Sequence, residues 1–350
     1  MNKIIEEDIK NIIKSDIDWE KFKNSNVLIT GGTGVIGSYL IYTLLKLNEI
    51  YPVLNIQIWS IYRNTRNIIK KFNYPEIIPN LFFMQKEYCD FKYLDIDYII
   101  HAASPASSQF YGKNPFAVIE CNVFDLKELL ELAKEKQSKG LLFFSSGEVT
   151  GKVDKEFLTE EDFGYLDPLD IRNCYAESKR MGEQLCKCYF HQYKTPTKIV
   201  RPDHTYGPTI DIENDQRVFS EFIQNIINDE DIIMKSDGSP RRTFCYLSDA
   251  IEGFFRVLLE GNSGEAYNVS NNNCNTSIKE LAETLVNLYI EKNLKIKYEK
   301  RENTNNYLEN KDTLRPMLST KKIEKLGYKP KIGIKEGFKR TVESFKEENR

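Results

Sequence analysis

Apolar positions along the chain recur with two different periods. Near the start, Ile4, Ile5, Ile9, Ile12 and Ile13 share one stripe at helical spacing, so residues 1–24 read as an amphipathic helical extension. From Val27 onward, short apolar runs alternate with longer amphipathic stretches. Strands are predicted over Val27–Thr30, Ile56–Tyr62, Leu81–Gln85, Tyr98–Ala102, Leu141–Ser145 and Lys198–Arg201. Helices are predicted over Val35–Leu47, Phe116–Lys134 and Asn173–Tyr193. This alternation implies an α/β domain over residues 25–202, built on a parallel, doubly wound sheet. Beyond about Pro202 the regularity breaks and Pro, Asn and Asp become frequent. Ser277-Ile278-Lys279-Glu280 ahead of Leu281 is a capping box opening one more helix. Residues 203–350 read as a smaller domain closing over the carboxyl edge of the sheet, with some segments returning to the first domain.

Composition narrows the function classes. The 350 residues are 41% hydrophobic, enough to bury one large core or two smaller ones. A net charge of -3, with no basic block or aromatic-interleaved basic stripe, argues against a nucleic-acid partner. No apolar run approaches membrane-spanning length, and Met1–Asn11 is charged and helical rather than a secretory leader, so a cytoplasmic protein with no membrane partner is expected. Seven cysteines form no C-x-x-C pair, and the three histidines, His101, His191 and His204, are scattered. The expectation is reduced thiols and no metal site.

Chemistry is concentrated at a few positions. Gly31-Gly32-Thr33-Gly34-Val35-Ile36-Gly37 follows a predicted strand and opens a predicted helix, the geometry in which helix-end N–H groups hold a pyrophosphate. Gly31 suits the tight turn, Gly34 a close approach of backbone to phosphate, and Gly37 the packing of helix on strand. The second strand ends Ser60-Ile61-Tyr62-Arg63-Asn64, without the acid that meets a ribose 2′-hydroxyl, while Arg63 suits a 2′-phosphate; NAD and NADP both stay open. Tyr175 and Lys179 lie four apart on one helical face, where the cation lowers the phenol's pKa and equips it for proton transfer. Tyr88 and Lys92 share that spacing but sit beside Asp90 in a strand-to-loop turn and carry little weight. Ser145-Ser146-Gly147-Glu148 ends the fifth strand and delivers hydroxyls to the sheet's carboxyl edge, with Glu148 a candidate acid/base.

In this order the motifs resemble the extended short-chain dehydrogenase/reductase superfamily, with its Rossmann domain and its nucleotide-sugar epimerases, dehydratases and decarboxylases. The resemblance runs over nearly all of residues 25–345. It rests on the glycine turn, His101-Ala102-Ala103-Ser104, Ser145-Ser146-Gly147-Glu148-Val149, Tyr175-x-x-x-Lys179, the run from Arg201-Pro202 to Gly207-Pro208, and Arg242-Thr243-Phe244 through Ser248-Asp249. Ala103-Ser104-Pro105-Ala106-Ser107 with Tyr111 and Asn114-Pro115, Arg172-Asn173-Cys174-Tyr175 and Gln216-Arg217-Val218 look closest to UDP-glucuronate decarboxylases.

The resemblance implies roles. Ser146, Tyr175 and Lys179 match the catalytic trio, with Glu148 as auxiliary acid/base. Gly31, Gly34, Val35, Ile36, Gly37, Ala102 and Ala103 match cofactor positions, Asp90 the residue that meets the adenine, and Lys179 and Tyr175 also face the cofactor. Arg217 and Arg242 match positions that pair with the sugar nucleotide's phosphates or neighbouring groups, and Ser104, Ser146 and His204 fall on the substrate side. Departures are equally informative. Gly147 stands where dehydratases carry an acid, His204 where asparagine is usual and Thr150 where tyrosine is usual; the decarboxylases' C-terminal arginine is displaced, with Leu314 in its place and Arg315 one step late. The implied activity is NAD(P)-dependent oxidation or reduction at C4 of a nucleoside-diphosphate sugar, of the epimerase/decarboxylase type, whose 4-keto form permits epimerisation, decarboxylation or simple reduction. The implied assembly is a homodimer pairing helices 116–134 and 173–193 into a four-helix bundle. The alternatives are an NADPH-dependent reductase of 4-keto-6-deoxy sugars and a non-catalytic dinucleotide-binding protein.

Overall fold

A computed structural model of the chain describes residues 2–63, 65–72, 77–86, 93–105, 108–215, 217–299 and 316–348. Tyr88, Asp90, Lys92, Ala106, Ser107, Gln216, Leu314 and Arg315 lie outside the described residues.

Seven strands make the central sheet: β1 (Asn26–Thr30), β2 (Gln57–Tyr62), β3 (Leu81–Gln85), β4 (Tyr98–His101), β5 (Gly140–Phe144), β6 (Thr197–Pro202) and β7 (Glu265–Val269). All pairs are parallel and the order is β7-β6-β5-β4-β1-β2-β3. The order reverses between β1 and β4, and at such a switch point the loops leaving the two strands diverge and open a crevice for ligands. Strand alternation splits the core in two. Val27 and Ile29 of β1 enter the layer formed with Leu40, Leu44 and Leu47 of the helix Val35–Ile50. Leu28 between them enters the opposite layer, with Leu126, Leu129 and Leu130 of the helix Leu126–Glu135. Both faces are thus covered, and β4 and β5 are buried along their whole length.

Three segments go beyond the sequence expectation. The predicted helix 116–134 is a continuous run of α-helix Pro115–Ile119, π-helix Glu120–Asp125 and α-helix Leu126–Glu135. Past Pro202 the chain returns to the sheet as β7, brought there by the helix Leu247–Glu260, whose residues are buried from Leu247 to Leu259. Between these, residues 203–264 and later segments build a three-stranded sheet (His204–Tyr206, Arg241–Tyr246, Asn275–Ser277) and a separate core around Phe219, Phe222, Ile223, Leu281 and Leu285. The helix at Ile278–Leu288 carries the expected capping box.

The first helix, Lys3–Ile13, buries Ile5, Ile9, Ile12 and Ile13, and on the same stripe Asp8. The Asp8 carboxylate accepts from Tyr39 Oη (2.6 Å), Tyr246 Oη (2.8 Å) and Arg340 Nη2 (2.6 Å). A carboxylate in an apolar stripe is tolerated because these three donors replace its water. The first and last helices of the chain are thereby fastened to each other and to the helix that follows the glycine turn.

Candidate active site

The site is assembled on the carboxyl edge of the sheet, beginning where β1 ends. The chain turns through Gly31 at φ +72°, a conformation that disfavours side chains, and a Cβ there would lie 2.7 Å from the Ala103 backbone. A Cβ on Gly37 would fall 2.1 Å from Gly31 O, so only glycine lets the helix close on the turn. That helix, Val35–Ile50, is capped by Gly34 with no side-chain capping bond and no acid in its first turn. Its N-terminal N–H groups and dipole therefore present positive potential at the switch point, next to Val35 and Ile36. A Cβ at Gly34 would meet only Gly31 O, at 3.2 Å. This donor set fits a dinucleotide diphosphate, and Gly31, Gly34, Val35, Ile36 and Gly37 are the residues that would hold it.

Ala102 and Ala103 lie against the turn because β4 and β1 are cross-linked. Ala102 N donates to Thr30 O (3.2 Å) and Ala103 N to Thr30 Oγ1 (3.3 Å). Thr30 Oγ1 is 2.7 Å from His101 Nδ1, and His101 Nε2 is 3.0 Å from Cys121 O. Burial drives the His101 pKa down to about 4, so the ring is neutral and carries one proton. A carbonyl only accepts, which puts that proton on Nε2 and leaves Nδ1 to accept from the threonine hydroxyl. His101 thus orients the strand ends rather than titrating.

Beside this cradle stand the candidate proton-transfer groups. Two adjacent serines leave β5 and diverge, as successive residues of an extended chain do. Ser145 Oγ donates inward to Glu183 Oε1 (2.6 Å), and Glu183 is gripped by buried Arg201 (2.8 and 2.7 Å). Ser146 Oγ accepts from Glu148 N (3.2 Å) and caps the short turn Gly147–Thr150, which fixes its place at the sheet edge. Glu148 is half-buried on that turn.

On the helix Cys174–Tyr193, Tyr175 and Lys179 face the same way. Lys179 is fully buried. Its Nζ donates to Phe144 O (2.5 Å) and lies 4.8 Å from the Phe143 ring centroid and 5.7 Å from that of Tyr175. Burial pulls its pKa down to about 7, so the ammonium exchanges its proton in the range where enzymes work. Tyr111 stacks on Tyr175, with centroids 5.0 Å apart and planes 12° from parallel. Burial pushes the Tyr111 phenol far up, with the Tyr175 and Glu148 charges adding to the shift, so Tyr111 stays protonated and walls one face of the Tyr175 ring. From the π-helical segment, Asn122 accepts from Ser104 Oγ (2.9 Å) and donates to Ser178 Oγ (3.0 Å), which donates to Tyr175 O (2.9 Å). Ser104, expected on the substrate side, thus spends its proton on Asn122.

The remaining candidates sit farther out, each with a protein partner. His204 Nδ1 is 3.0 Å from Asp203 Oδ1 and its ring 5.9 Å from that of Phe244. Arg217, just ahead of the helix Val218–Ile227, forks onto Asp215 (2.9 and 2.5 Å) and lies over the Phe219 ring. Arg242 Nη1 donates to Arg241 O (2.7 Å). Arg63, directly after β2, pairs through Nη2 with Asp125 Oδ2 (3.1 Å), while Lys86 Nζ holds Asp125 Oδ1 (2.7 Å). A Cβ on Gly147, the position where dehydratases carry an acid, would meet the Leu318 side chain at 3.0 Å, a tight contact.

The structure gathers Ser146, Tyr175 and Lys179 with the glycine turn, Ala102 and Ala103 on one edge. It adds four residues that the sequence reading gave no part in holding the site: Thr30, Asn122, Asp125 and, through its stacking, Tyr111. Only Tyr111 left a trace beforehand, in the motif it shares with Asn114-Pro115. Among the described residues no cluster of three or more His, Cys, Asp or Glu forms a metal site.

The family model described as "NAD dependent epimerase/dehydratase family" matches residues 27–270. UDP-glucuronic acid decarboxylase 6 of Arabidopsis thaliana is 34% identical over 93% of this chain and 91% of its own length. The human dTDP-D-glucose 4,6-dehydratase is 30% identical over 92% of this chain and 90% of its own. Among solved structures, DesIV, a dTDP-glucose 4,6-dehydratase from Streptomyces venezuelae with NAD bound, superposes with a TM-score of 0.73 at 25% identity, covering 92% of this chain and 97% of that one.

Proposed function

The chain belongs to the NAD dependent epimerase/dehydratase family, and from that premise we propose that it oxidises or reduces C4 of a nucleoside-diphosphate sugar. One observation carries the reading: the Tyr175–Lys179 pair and Ser146 stand on the same sheet edge as a glycine turn fitted to a dinucleotide. A nicotinamide held there would supply the hydride acceptor or donor for C4. In the oxidative direction Tyr175 Oη takes the proton of the C4 hydroxyl as the hydride leaves C4. Ser146 Oγ holds that oxygen in line. Lys179 stabilises the phenolate, and the phenolate in turn favours the ammonium form of a lysine poised near pH 7. A non-catalytic binder would need no such pair.

The 4-keto sugar then decides the product. Loss of water needs an acid at position 147, and Gly147 offers none, so dehydration is disfavoured. Decarboxylation is the specific form we favour, supported by the similarity to UDP-glucuronic acid decarboxylase 6: a 4-keto-uronate is a β-keto acid, and carbon dioxide leaves to an enolate stabilised by nearby donors. Asp90 at the adenine, and Arg217, Arg242, His204 and Ser104 on the substrate side, belong to the same reading. On binding, the two arginines would exchange Asp215 and Arg241 O for phosphate oxygens. Incubation with UDP-glucuronate and NAD, followed by mass spectrometry, is expected to show loss of carbon dioxide. Unchanged UDP-glucuronate, with NADPH-dependent turnover of a 4-keto-6-deoxy sugar, replaces this form with the reductase.

The reading includes a homodimer through residues 115–135 and 174–193. Phe116, Phe124 and Met181 are 63%, 52% and 51% exposed there, alongside the charged Lys127 and Glu128. Light scattering that gives only the 40.9 kDa monomer mass rejects it. A cytoplasmic location is also part of the reading; the six described cysteines are all unpaired thiols, as a reducing compartment keeps them, and no described helix is long and apolar enough to cross a membrane.

A further inference from the structure

The end of β2 lacks the acid that a ribose 2′-hydroxyl calls for, yet the fold places one there from elsewhere. Asp125 closes the π-helical segment Glu120–Asp125 and lies 62 positions beyond Arg63 in the chain. The segment abuts the cofactor turn: Cys121 Sγ is 3.3 Å from Ala103 O, and the Ala103 backbone is what a Cβ on Gly31 would strike. Arg63 leaves β2 two residues after Ile61, the partner of Thr30 in the register, so it stands one strand over from the glycine turn. Asp125 is 17% exposed, against 52% for Arg63 and 36% for Lys86, so two surface cations fold inward onto a shielded carboxylate.

We propose that Asp125 is the cofactor-selecting acid of this site, receiving the 2′-hydroxyl of the adenosine ribose and, by holding Arg63 and Lys86, excluding a 2′-phosphate. The inference rests on the dinucleotide-binding part of the proposed function. A carboxylate has about four acceptor positions, and one cation on each oxygen leaves capacity for a hydroxyl proton. A 2′-phosphate finds the opposite. It needs the guanidinium fork, but Arg63 is already committed to Asp125, and any pose that brings phosphate oxygens onto both cations brings them against the carboxylate. Arg63 alone therefore does not make this an NADP site.

Calorimetric titration of the purified protein with NAD and with NADP tests this without any sugar substrate. The wild type is expected to bind NAD at least about tenfold more tightly than NADP, since the 2′-phosphate would meet a like charge. Asp125→Asn keeps the shape and frees both cations; it is expected to narrow the preference by about tenfold, chiefly by tightening NADP. Arg63→Met is expected to leave the wild-type preference within about twofold, because Arg63 holds no phosphate while Asp125 occupies it. Equal or tighter binding of NADP by the wild type overturns the proposal, as does a parallel shift of both cofactors in Asp125→Asn or a loss confined to NADP in Arg63→Met. If Asp125→Asn melts at low temperature, the wild-type ratio and the Arg63→Met titration decide alone. NAD binding without discrimination sinks the inference and leaves the proposed function standing; binding of neither cofactor removes both.

Discussion

The two sides of the candidate site hold their polar groups in opposite ways. On the sheet side, Tyr175, Lys179, Ser146 and His101 are buried or half-buried and each is held by fixed protein partners: Ser178 and Asn122 behind the Tyr175 backbone, the Phe144 carbonyl on Lys179, Glu148 N on Ser146 and Thr30 on His101. On the outer side, Arg217 and Arg242 rest on Asp215 and on a neighbouring carbonyl, at partly exposed positions. Groups that move a proton must be held at a fixed distance in a low-dielectric setting, where misplacement of about 1 Å is costly in rate. Groups that grip a diphosphate can wait on exchangeable partners, because a charge-assisted bond to a carboxylate is replaced by one to phosphate at little net loss. The contrast predicts that substitutions on the inner side act on turnover and those on the outer side on substrate affinity.

The most severe break is Tyr175→Phe. It removes the proton acceptor while keeping the ring stacked on Tyr111, and kcat is expected to fall by roughly 10²–10⁴-fold with cofactor affinity unchanged. Near wild-type turnover would end the assignment of the inner side to catalysis.

Lys179→Met sharpens the comparison by separating function from stability. Turnover is expected to drop by about 10²-fold, as for a lost proton-transfer partner. Stability is expected to rise. The unfolded lysine keeps its proton up to about 10.5, whereas burial makes the folded one release it near 7, so unfolding takes up a proton between these values. Wild-type stability therefore climbs with pH from about 7 to 10, and methionine, with no proton to lose, removes that dependence. The variant's advantage, on the order of a few kcal/mol, is largest at and below pH 7 and fades toward pH 10. Urea unfolding at pH 6.5 and 9.5 checks this; an equal advantage at both values would place the strain elsewhere.

The smallest effect belongs to the outer side. Arg217→Ala and Arg242→Ala are each expected to raise KM for the nucleotide sugar by about tenfold, the loss of one charge-assisted contact, with kcat within about threefold. A fall in kcat comparable to that of Tyr175→Phe would show that the outer groups also act on the reacting centre and would erase the distinction.

Much of the inner side was legible in the chain itself. The glycine turn after an apolar run, the four-residue spacing of Tyr175 and Lys179, and strands β1 to β6 all follow from local rules, since backbone conformation and helical period act over a few residues. Ser145 and Ser146 illustrate the boundary. Alternation says that they diverge, but only the position of Glu183, 38 residues on, says which one is tied inward. The strand β7 and the helix Leu247–Glu260 have no place in the sequence expectation, although Asp249, Glu252, Arg256 and Glu260 mark a polar stripe on that helix; the stripe is largely buried because its partners, among them Asp16 and Lys331, come from distant segments. Asp8, in a stripe of isoleucines, is similar: its three donors, Tyr39, Tyr246 and Arg340, come from distant parts of the chain, so no local pattern marks it.

Local sequence thus determined which elements form, that a glycine turn of dinucleotide type opens the first sheet helix, and which residues on the fifth strand and the helix beyond it are candidates for proton transfer. Tertiary structure alone decided their electrical state and company. It buried Lys179 and brought its pKa to about 7, made His101 a neutral strut, and carried Asp125 across 62 residues to the arginine at the end of β2. Conformational preference is a property of a short stretch of chain. Desolvation and charge pairing depend on every atom within several ångströms, and which atoms those are is settled only when the sheet closes.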